Sequence, residues 1–317
     1  MDTYRTNLII RVAKLYYELG MSQIDISRQE HLSKSTVSRL IKLASDMGFV
    51  KISIVEPKHS YSDLEQEFIS RFHLKKVTIL PDMVENQDVL LQDICSAAAE
   101  DLPRLVDDNS ILGLAWGSTM SKLRTVLSHT KKKGVQIIQL NGGVSRVLYK
   151  VGSTEVIQSF VDAYNGSGYL LPAPALVDTP EIAQAMLADS SIRRTLDLSK
   201  KCQTAVYSIG TLGHKTALYQ MGCFPEKEYE KIEEIAVGDV CSHFITMDGE
   251  IADETLDQRV IGTPLSIIRS IPNKVVIAQG KEKAPAILGA IHGKLIDYLY
   301  IDYPTAQKII QLSNKQA

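Results

Sequence analysis

The chain of 317 residues contains few of the residues that mark metal sites, disulfide scaffolds or membrane spans. Its four cysteines, Cys95, Cys202, Cys223 and Cys241, show no CxxC spacing and no nearby histidine pattern, which argues against a zinc site or a disulfide framework. We therefore expect no metal and no cofactor. No apolar run approaches the roughly 20 residues that cross a bilayer, and no basic-apolar leader opens the chain. We expect a cytoplasmic protein that does not enter a membrane.

An excess of charge of one sign is also missing, since 35 Lys and Arg nearly balance 37 Asp and Glu. The charges are unevenly distributed along the chain. Residues 1–60 contain nine basic and six acidic residues and therefore have a net charge of +3. Because the whole chain has a net charge of −2, the remaining residues have a net charge of −5. A basic amino-terminal segment on an acidic body fits DNA binding through a local patch. The length fits two domains, one of them small.

Residues 22–45 show the pattern of two short helices joined by a tight turn. Ser22 and Ser33 stand where helix N-caps are expected, and Asp25 completes a partial capping box with Ser22. In the second helix, apolar residues at i, i+3, i+4 and i+7 predict one buried stripe, formed by Val37, Leu40, Ile41 and Ala44. The pattern indicates a helix-turn-helix.

The polar face of the second helix is suited to DNA. Its short hydroxyl side chains allow close approach to phosphates, and Arg39 can form a bidentate pair with guanine. The candidate DNA-binding residues are Gln23, Ser33, Lys34, Ser35, Thr36, Ser38, Arg39 and Lys42. The alternative is an ordinary amphipathic helix pair with a solvated basic face.

Three neighbouring features favour the DNA-binding interpretation. A helix predicted at 5–19 supplies a third helix for the core, with Ile9, Val12, Tyr16 and Leu19 on one face. Gly48 follows the recognition helix as a left-handed cap. Alternation from residue 50 to 54 predicts a short strand like the wing of a winged helix. We assign residues 1–55 to a winged-helix-like DNA-binding domain, 56–62 to a linker and 63–317 to a second domain for effector binding and oligomerisation.

After a predicted helix at 62–72, the second domain alternates short apolar runs with helical patterns. Strands are predicted at 77–80, 111–116, 135–140, 169–171, 204–209, 275–279 and 298–301. The first three are followed by predicted helices near 86–105, 119–128 and 154–164. Such runs are typical of a buried, largely parallel sheet covered on both faces, so we predict a doubly wound α/β domain. Asp248-Gly249 predicts one hairpin.

Open α/β sheets bind ligands at the carboxyl ends of their strands. Two glycine-rich turns follow predicted strands there: Gly117-Ser118-Thr119 and Asn141-Gly142-Gly143. Glycine allows close backbone approach and helix N-termini present free N–H groups, so the two turns suggest a phosphate site. Each turn is otherwise only a tight connection. Asp239 and Lys283 also flank apolar segments, although such residues are more often solvated.

The two domains together resemble the SorC/DeoR-type sugar-binding transcriptional regulators over essentially the whole chain. The matching motifs are LYYELGMSQ at 15–23, STVSRLI at 35–41, WGSTM at 116–120, QLNGG at 139–143, YLLPAP at 169–174, AVGDVCSHF at 236–244 and the segment 283–292. The resemblance implies a tetrameric repressor or activator whose second domain resembles phosphosugar isomerases. It also implies a phosphorylated sugar effector bound by Gly117, Ser118, Thr119, Gly142, Gly143, Asp239 and Lys283.

Two residues depart from the family pattern. Within the family, the chain resembles the regulators of deoxyribonucleoside catabolism, whose second glycine turn carries a lysine that forms a Schiff base with the effector. Asn141 stands at that position, and its amide nitrogen is not nucleophilic, so we expect Asn141 to bind the effector non-covalently. Glu30 replaces an apolar residue, which predicts looser packing of the first motif helix.

Two other functions compete with a regulator. A phosphosugar isomerase or deaminase-like enzyme would need a positioned base, for which Asp239 is the available carboxylate. However, no paired carboxylate or histidine cluster accompanies the glycine turns, and a helix-turn-helix has no purpose in such an enzyme. A DNA-binding structural protein without an effector leaves both glycine turns unexplained. The sequence therefore favours a regulator bound to operator DNA.

Overall fold

The computed structural model describes residues 3–50, 61–83, 85–143, 152–214, 216–220, 222 and 224–316. The chain divides into two compact units, Met1–Ser60 (unit 1) and Tyr61–Ala317 (unit 2). This division falls within the segment predicted as a linker. The predicted wing strand lies outside the described residues, apart from Val50.

Unit 1 contains three helices: α1 (Thr3–Tyr17), α2 (Gln23–Gln29) and α3 (Lys34–Asp46). The predicted stripe of α3 is buried against apolar residues of the other two helices, including Ile9, Val12 and Ile26. Both predicted caps are present, since Ser22 Oγ accepts from Asp25 N and Ser33 Oγ accepts from Thr36 N. The helix pair is therefore held by local caps and one shared core.

The chain leaves α3 as the sequence predicted, through Gly48 with φ +73°. Phe49 N donates to Ala44 O and Gly48 N donates to Ser45 O, each at 2.9 Å. This pair of bonds is the Schellman motif, whose left-handed residue is usually glycine. Gly48 therefore ends the helix because glycine adopts a positive φ without the strain that a side chain would cause.

Two predictions for unit 1 were wrong. Helix α1 ends at Tyr17, and Leu19 is 69% exposed because the chain turns at Gly20, with φ +64°. Glu30 does not loosen the packing. Its carboxylate is only 10% exposed and pairs with Arg11 at 2.8 Å, which ties the end of α2 to α1.

Unit 2 is built on a seven-stranded, wholly parallel sheet in the order β1-β10-β9-β5-β2-β3-β4. Its strands are β1 (Lys76–Leu80), β2 (Ile111–Leu114), β3 (Gln136–Gln139), β4 (Ser167–Tyr169), β5 (Thr204–Tyr207), β9 (Asn273–Ile277) and β10 (Tyr298–Asp302). A second, antiparallel sheet joins β6 (Ile209–Gly210), β7 (Gly238–Val240) and β8 (His243–Ile245).

Helices cover both faces of the large sheet. Those of unit 2 are α4 (Ser62–Phe72), α5 (Gln87–Leu105), α6 (Ser118–Leu123), α7 (Ser153–Tyr164), α8 (Pro180–Ala188), α9 (Ser190–Ser199), α10 (Ala217–Gln220), α11 (Glu226–Ile235), α12 (Glu254–Asp257), α13 (Leu265–Ser270), α14 (Ala284–His292) and α15 (Tyr303–Gln316), with a 3₁₀ helix at Lys281–Lys283. In β5, Val206 faces the core formed with α5, α6 and α7, whereas Ala205 and Tyr207 face the core formed with α4, α13, α14 and α15. The predicted doubly wound α/β fold is confirmed.

The small sheet was not predicted. The predicted strand at 204–209 is divided between β5 and β6. The turn predicted at Asp248-Gly249 is present, since Gly249 has φ +75° and Ile245 bridges Ile251 in antiparallel fashion. However, the hairpin that matters for the site is β7–β8, whose turn lies seven residues earlier and whose strands have only three residues each. Strands this short carry too little alternation to be recognised.

Candidate functional site

The exposed surface of α3 carries most of the predicted DNA-binding residues. Lys34, Ser35, Ser38, Arg39 and Lys42 are all exposed, on the side of α3 away from its buried stripe. The side chains of Ser33 and Thr36 are engaged in the cap, where Ser33 Oγ lies 2.8 Å from Thr36 Oγ1. Gln23 is half-buried at the first position of α2. Basic and hydroxyl groups on one helical face suit both phosphate and base-edge contacts.

Unit 2 contains a cavity of about 660 Å³ at the carboxyl ends of four adjacent strands, β9, β5, β2 and β3. The chain reverses its direction across the sheet between β2 and β5, which is where open α/β sheets bind their ligands. Ten of the residues in its wall are Trp116, Gly117, Ser118, Thr119, Asn141, Ser208, His214, Asp239, Ser242 and Lys283. Six of these ten are predicted effector-binding residues.

The first glycine turn opens directly into this cavity. Gly117 has φ +130°, a conformation that side chains rarely adopt, although a Cβ at this position would meet nothing within 4 Å. Glycine is therefore required here for conformation rather than for space. Ser118 and Thr119 then begin α6, whose first N–H groups have no partner within the helix. These groups can donate hydrogen bonds to a bound anion.

The second glycine turn is used differently, and here the prediction needs correction. Gly142 N donates to Ile261 O and Gly143 N donates to Ala173 O, each at 2.8 Å, so neither N–H is free for a phosphate. A Cβ on Gly142 would lie 2.3 Å from Pro174 O. Gly142 is therefore needed for close backbone packing. Neither glycine belongs to the residues that line the cavity.

Asn141, in the same turn, does face the cavity. Its side chain is 3% exposed, and its Nδ2 donates to Ser242 Oγ at 2.8 Å. Its Oδ1 is buried and has no hydrogen-bond partner among the described residues. The buried Gln139 side chain orients this turn, because its Nε2 donates to Asn141 O at 2.7 Å. A buried amide oxygen without a partner is costly, and Asn141 is one of the residues that line the cavity.

The carboxylate of the site is Asp239, in β7. Burial raises the pKa of this carboxyl to about 6, although the Ser242 N–H, Lys283 and His243 favour its ionised form. Gly210 pairs with Asp239 across β6 and β7, and a Cβ there would lie on the Asp239 carboxylate. The glycine thus makes room for a charged group inside the protein.

Lys283 supplies the cation. It ends the 3₁₀ helix after β9, and its Nζ lies 3.2 Å from Ser208 Oγ. Burial lowers the pKa of this ammonium group, while Asp239 and Glu282 oppose that effect. One half-buried acid and one half-buried cation therefore share the cavity, which makes it a candidate binding site on electrostatic grounds.

Sequence reasoning missed Ser208 and Ser242. Ser208 follows β5, so the rule that selected the two glycine turns could also have found it. Ser242 lies in the two-residue turn of β7–β8, within the motif at 236–244, but its role depends on a hairpin that was not predicted. His243 braces this hairpin, since its Nδ1 lies 2.6 Å from Asp257 Oδ1 and its Nε2 lies 3.0 Å from Thr263 O.

Within the described ranges, no cluster of three or more His, Cys, Asp or Glu could hold a metal ion. No helix in the described part of the chain is long and apolar enough to cross a membrane.

Comparison with known proteins identifies the family to which this domain belongs. A family model described as "Putative sugar-binding domain" matches residues 57–311. The chain therefore belongs to this family, which includes the SorC-type transcriptional regulators.

Similar proteins carry the names of regulators of sugar operons. The deoxyribonucleoside regulator of Bacillus subtilis (strain 168) is 30% identical over 310 residues, which cover 98% of this chain and 99% of that protein. The sorbitol operon regulator of Klebsiella pneumoniae is 25% identical over 309 residues, covering 96% and 98%. The crystal structure of full-length SorC from Klebsiella pneumoniae superposes with a TM-score of 0.76 at 25% identity and covers 98% of this chain and 99% of that chain.

Proposed function

We propose that this protein is a DNA-binding regulator of a carbohydrate-catabolism operon and that a phosphorylated sugar, bound non-covalently in unit 2, controls it. The observation that carries the proposal is the cavity at the strand ends, where Gly117, Asn141, Asp239 and Lys283 converge from distant parts of the chain. Membership of a sugar-binding family and the names of the relatives support it.

In this proposal the two ends of the effector meet different chemistry. The N–H groups of Ser118 and Thr119 and the ammonium of Lys283 bind the phosphate, because both present positive charge or donors to an anion. The carboxylate of Asp239 accepts hydrogen bonds from sugar hydroxyls. Gly142 and Gly143 shape the turn that holds Asn141 and do not bind phosphate themselves.

A thermal-shift screen tests the effector. Ribose 5-phosphate, glucose 6-phosphate, fructose 6-phosphate, glucitol 6-phosphate and inorganic phosphate are compared, because a ligand of the folded state raises the melting temperature by mass action. Lys283→Ala should remove the response to the best sugar phosphate. The matched control is Lys281→Ala, which removes an exposed lysine two residues away and should leave the response intact. Equal responses in both variants would place Lys283 outside the site.

The non-covalent mode of binding has its own test. Asn141 cannot form a Schiff base because its nitrogen is delocalised into the amide, and Lys283 is the competing amine in the cavity. Protein incubated with each sugar phosphate and borohydride should keep its mass. An added mass mapped to Lys283 would show that the effector binds as an imine.

The DNA-binding part of the proposal rests on the exposed face of α3. A gel shift with promoter DNA from upstream of its own gene should show a specific complex that the best sugar phosphate either weakens or strengthens. We also propose a homotetramer, which light scattering on the full chain tests directly.

We propose further that the protein is not an enzyme. The observation that favours an enzyme is the raised pKa of Asp239, since a general base operates best with a pKa near the working pH. An isomerase assay on the same sugar phosphates therefore accompanies the gel shift. The protein is an enzyme and not a regulator if it converts one of these sugar phosphates, loses that activity in Asp239→Asn, and binds no DNA.

A further inference from the structure

The turn between β7 and β8 is strained at the wall of the cavity. Val240 pairs with His243, so Cys241 and Ser242 form a two-residue turn, and both have positive φ, at 50° and 75°. Such turns favour Asn-Gly because most side chains resist this conformation. Neither Asn nor Gly is present. Strain of this kind, in a residue that faces a cavity, is a reason to look for a function of that residue.

The Ser242 side chain is buried and already has one partner. It is 2% exposed, and its Oγ accepts the hydrogen bond from Asn141 Nδ2 at 2.8 Å. Ser242 N donates to Asp239 Oδ2 at 3.1 Å, which fixes the turn against the carboxylate. The Ser242 hydroxyl is thus free to donate a hydrogen bond. It is the partner of the same Asn141 amide whose Oδ1 receives no hydrogen bond from any described residue.

Asn141 and Ser242 together therefore offer a ligand two donors, the second Nδ2–H and the serine O–H, and one acceptor, Asn141 Oδ1. Rotating the Asn141 amide by 180° keeps these numbers, because the serine hydroxyl would then donate to Oδ1, both N–H groups would be free, and Ser242 Oγ would be the acceptor. A ligand hydroxyl satisfies the acceptor and one donor at once, since it donates and accepts. A carbonyl oxygen only accepts, so it would leave a buried acceptor without a partner.

We propose that Asn141 and Ser242 form a hydroxyl-recognition pair, which selects phosphorylated sugars that present a hydroxyl rather than an aldehyde or ketone carbonyl at this point. Suitable effectors are ring-form sugar phosphates and alditol phosphates. The inference rests on the proposed function and adds to it the chemical class of the effector and a residue, Ser242, that determines specificity.

The variant that tests the pair is Ser242→Gly. It removes the hydroxyl and suits the positive φ, so the turn is relaxed rather than broken. Calorimetric titration should show that the tightest-binding sugar phosphate of the panel binds about 10- to 100-fold more weakly, the range expected when a buried hydrogen-bonding group loses its partner. Inorganic phosphate should bind the variant as it binds the wild type. Cys241→Gly relaxes the same turn without touching the hydroxyl and should keep sugar affinity.

A double-variant cycle then separates a pair from two independent contacts. Asn141→Ala and Ser242→Gly should each lose affinity, and the double variant should lose little more than either one. The ring-locked probe 1,5-anhydroglucitol 6-phosphate, which has no carbonyl form, should bind at least as well as glucose 6-phosphate.

The outcomes distinguish this inference from the function on which it depends. Unchanged sugar affinity in Ser242→Gly, or tighter binding of open-chain carbonyl compounds, overturns the recognition pair and leaves a sugar-phosphate effector intact. Absence of binding by any sugar phosphate and by inorganic phosphate to the wild type overturns the proposed function, and the pair with it.

Discussion

The candidate DNA-binding surface of unit 1 and the cavity of unit 2 are assembled in opposite ways. The first comes almost entirely from one uninterrupted stretch, residues 33–42, and its charges are exposed. The cavity draws its residues from segments between Ala115 and Lys283, and its Asp239 and Lys283 are half-buried. A contiguous, exposed surface follows from helical periodicity, whereas a discontinuous, buried one depends on which strands are neighbours.

If the two regions work as separate modules, Arg39→Ala should cause the largest loss of binding free energy, and this loss should concern operator DNA alone. Loss of a bidentate base contact costs about 1–3 kcal/mol per half-site, so a dimeric operator complex should weaken by twice that. Sugar-phosphate binding should be unchanged, and circular dichroism should show an intact fold. Arg5→Ala removes the same charge from the exposed side of α1 and serves as the control. Equal operator affinity in Arg39→Ala and wild type would reject α3 as the recognition helix.

Gly142→Ala should disturb unit 2 by a packing mechanism. The new Cβ would approach Pro174 O to 2.3 Å, and backbone cannot move aside cheaply. We expect about 1–3 kcal/mol of lost stability in urea unfolding, the usual cost of overpacking. Gly143→Ala is the matched control, because its Cβ would meet nothing closer than 3.5 Å. If the control destabilises as much, backbone conformation rather than close packing explains the Gly-Gly sequence.

Asp239→Asn should stabilise the ligand-free protein while removing its effector response. The pKa of Asp239 is raised from 3.8 to about 6, so between these values the folded state holds more protons than the unfolded state. Stability therefore falls as pH rises through this window, and the cost persists above it. At neutral pH the variant should gain about 1–2 kcal/mol, less than the full shift implies because cavity water screens the charge. The gain should vanish as the pH approaches 4.

The same titration affects ligand binding. Affinity for a sugar phosphate should fall as Asp239 is protonated below about pH 6. The phosphate itself titrates near there, but equally for wild type and variant. The difference between their pH profiles isolates Asp239, and superimposable profiles would exclude a carboxylate contact with the sugar.

Lys42→Ala should give the smallest effect. A phosphate contact contributes to all DNA sequences alike, so its loss should reduce the slope of log K against log salt by about one while leaving sequence preference unchanged. Changed sequence preference would mean that Lys42 contacts a base edge. Sugar-phosphate affinity should not respond to this substitution.

Much of unit 1 was predictable because its signals are local. The caps at Ser22 and Ser33, the buried stripe of α3 and the Schellman end at Gly48 each depend on residues within about one helical turn. The failures were also instructive. Leu19 continued the apolar pattern beyond Tyr17, where α1 ends, and Glu30 found a partner, Arg11, that no local pattern could indicate.

For unit 2, the sequence by itself determined the class of fold and the kind of ligand site. Apolar runs alternating with helices require a covered parallel sheet, and glycine turns after strands mark its ligand edge. Only the tertiary structure decided which glycine lines the cavity. Gly117 and Gly142 look alike in sequence, but the amide of Gly142 is already paired with Ile261, and its missing Cβ makes room for Pro174. Ser242 reaches Asn141 across 101 positions of sequence only because β7–β8 folds over the ends of β2 and β3. The periodicity of the sequence indicates which face of a helix or strand is buried. Which distant groups meet inside a cavity depends on the order of the strands, and this order is fixed only when the whole sheet is packed.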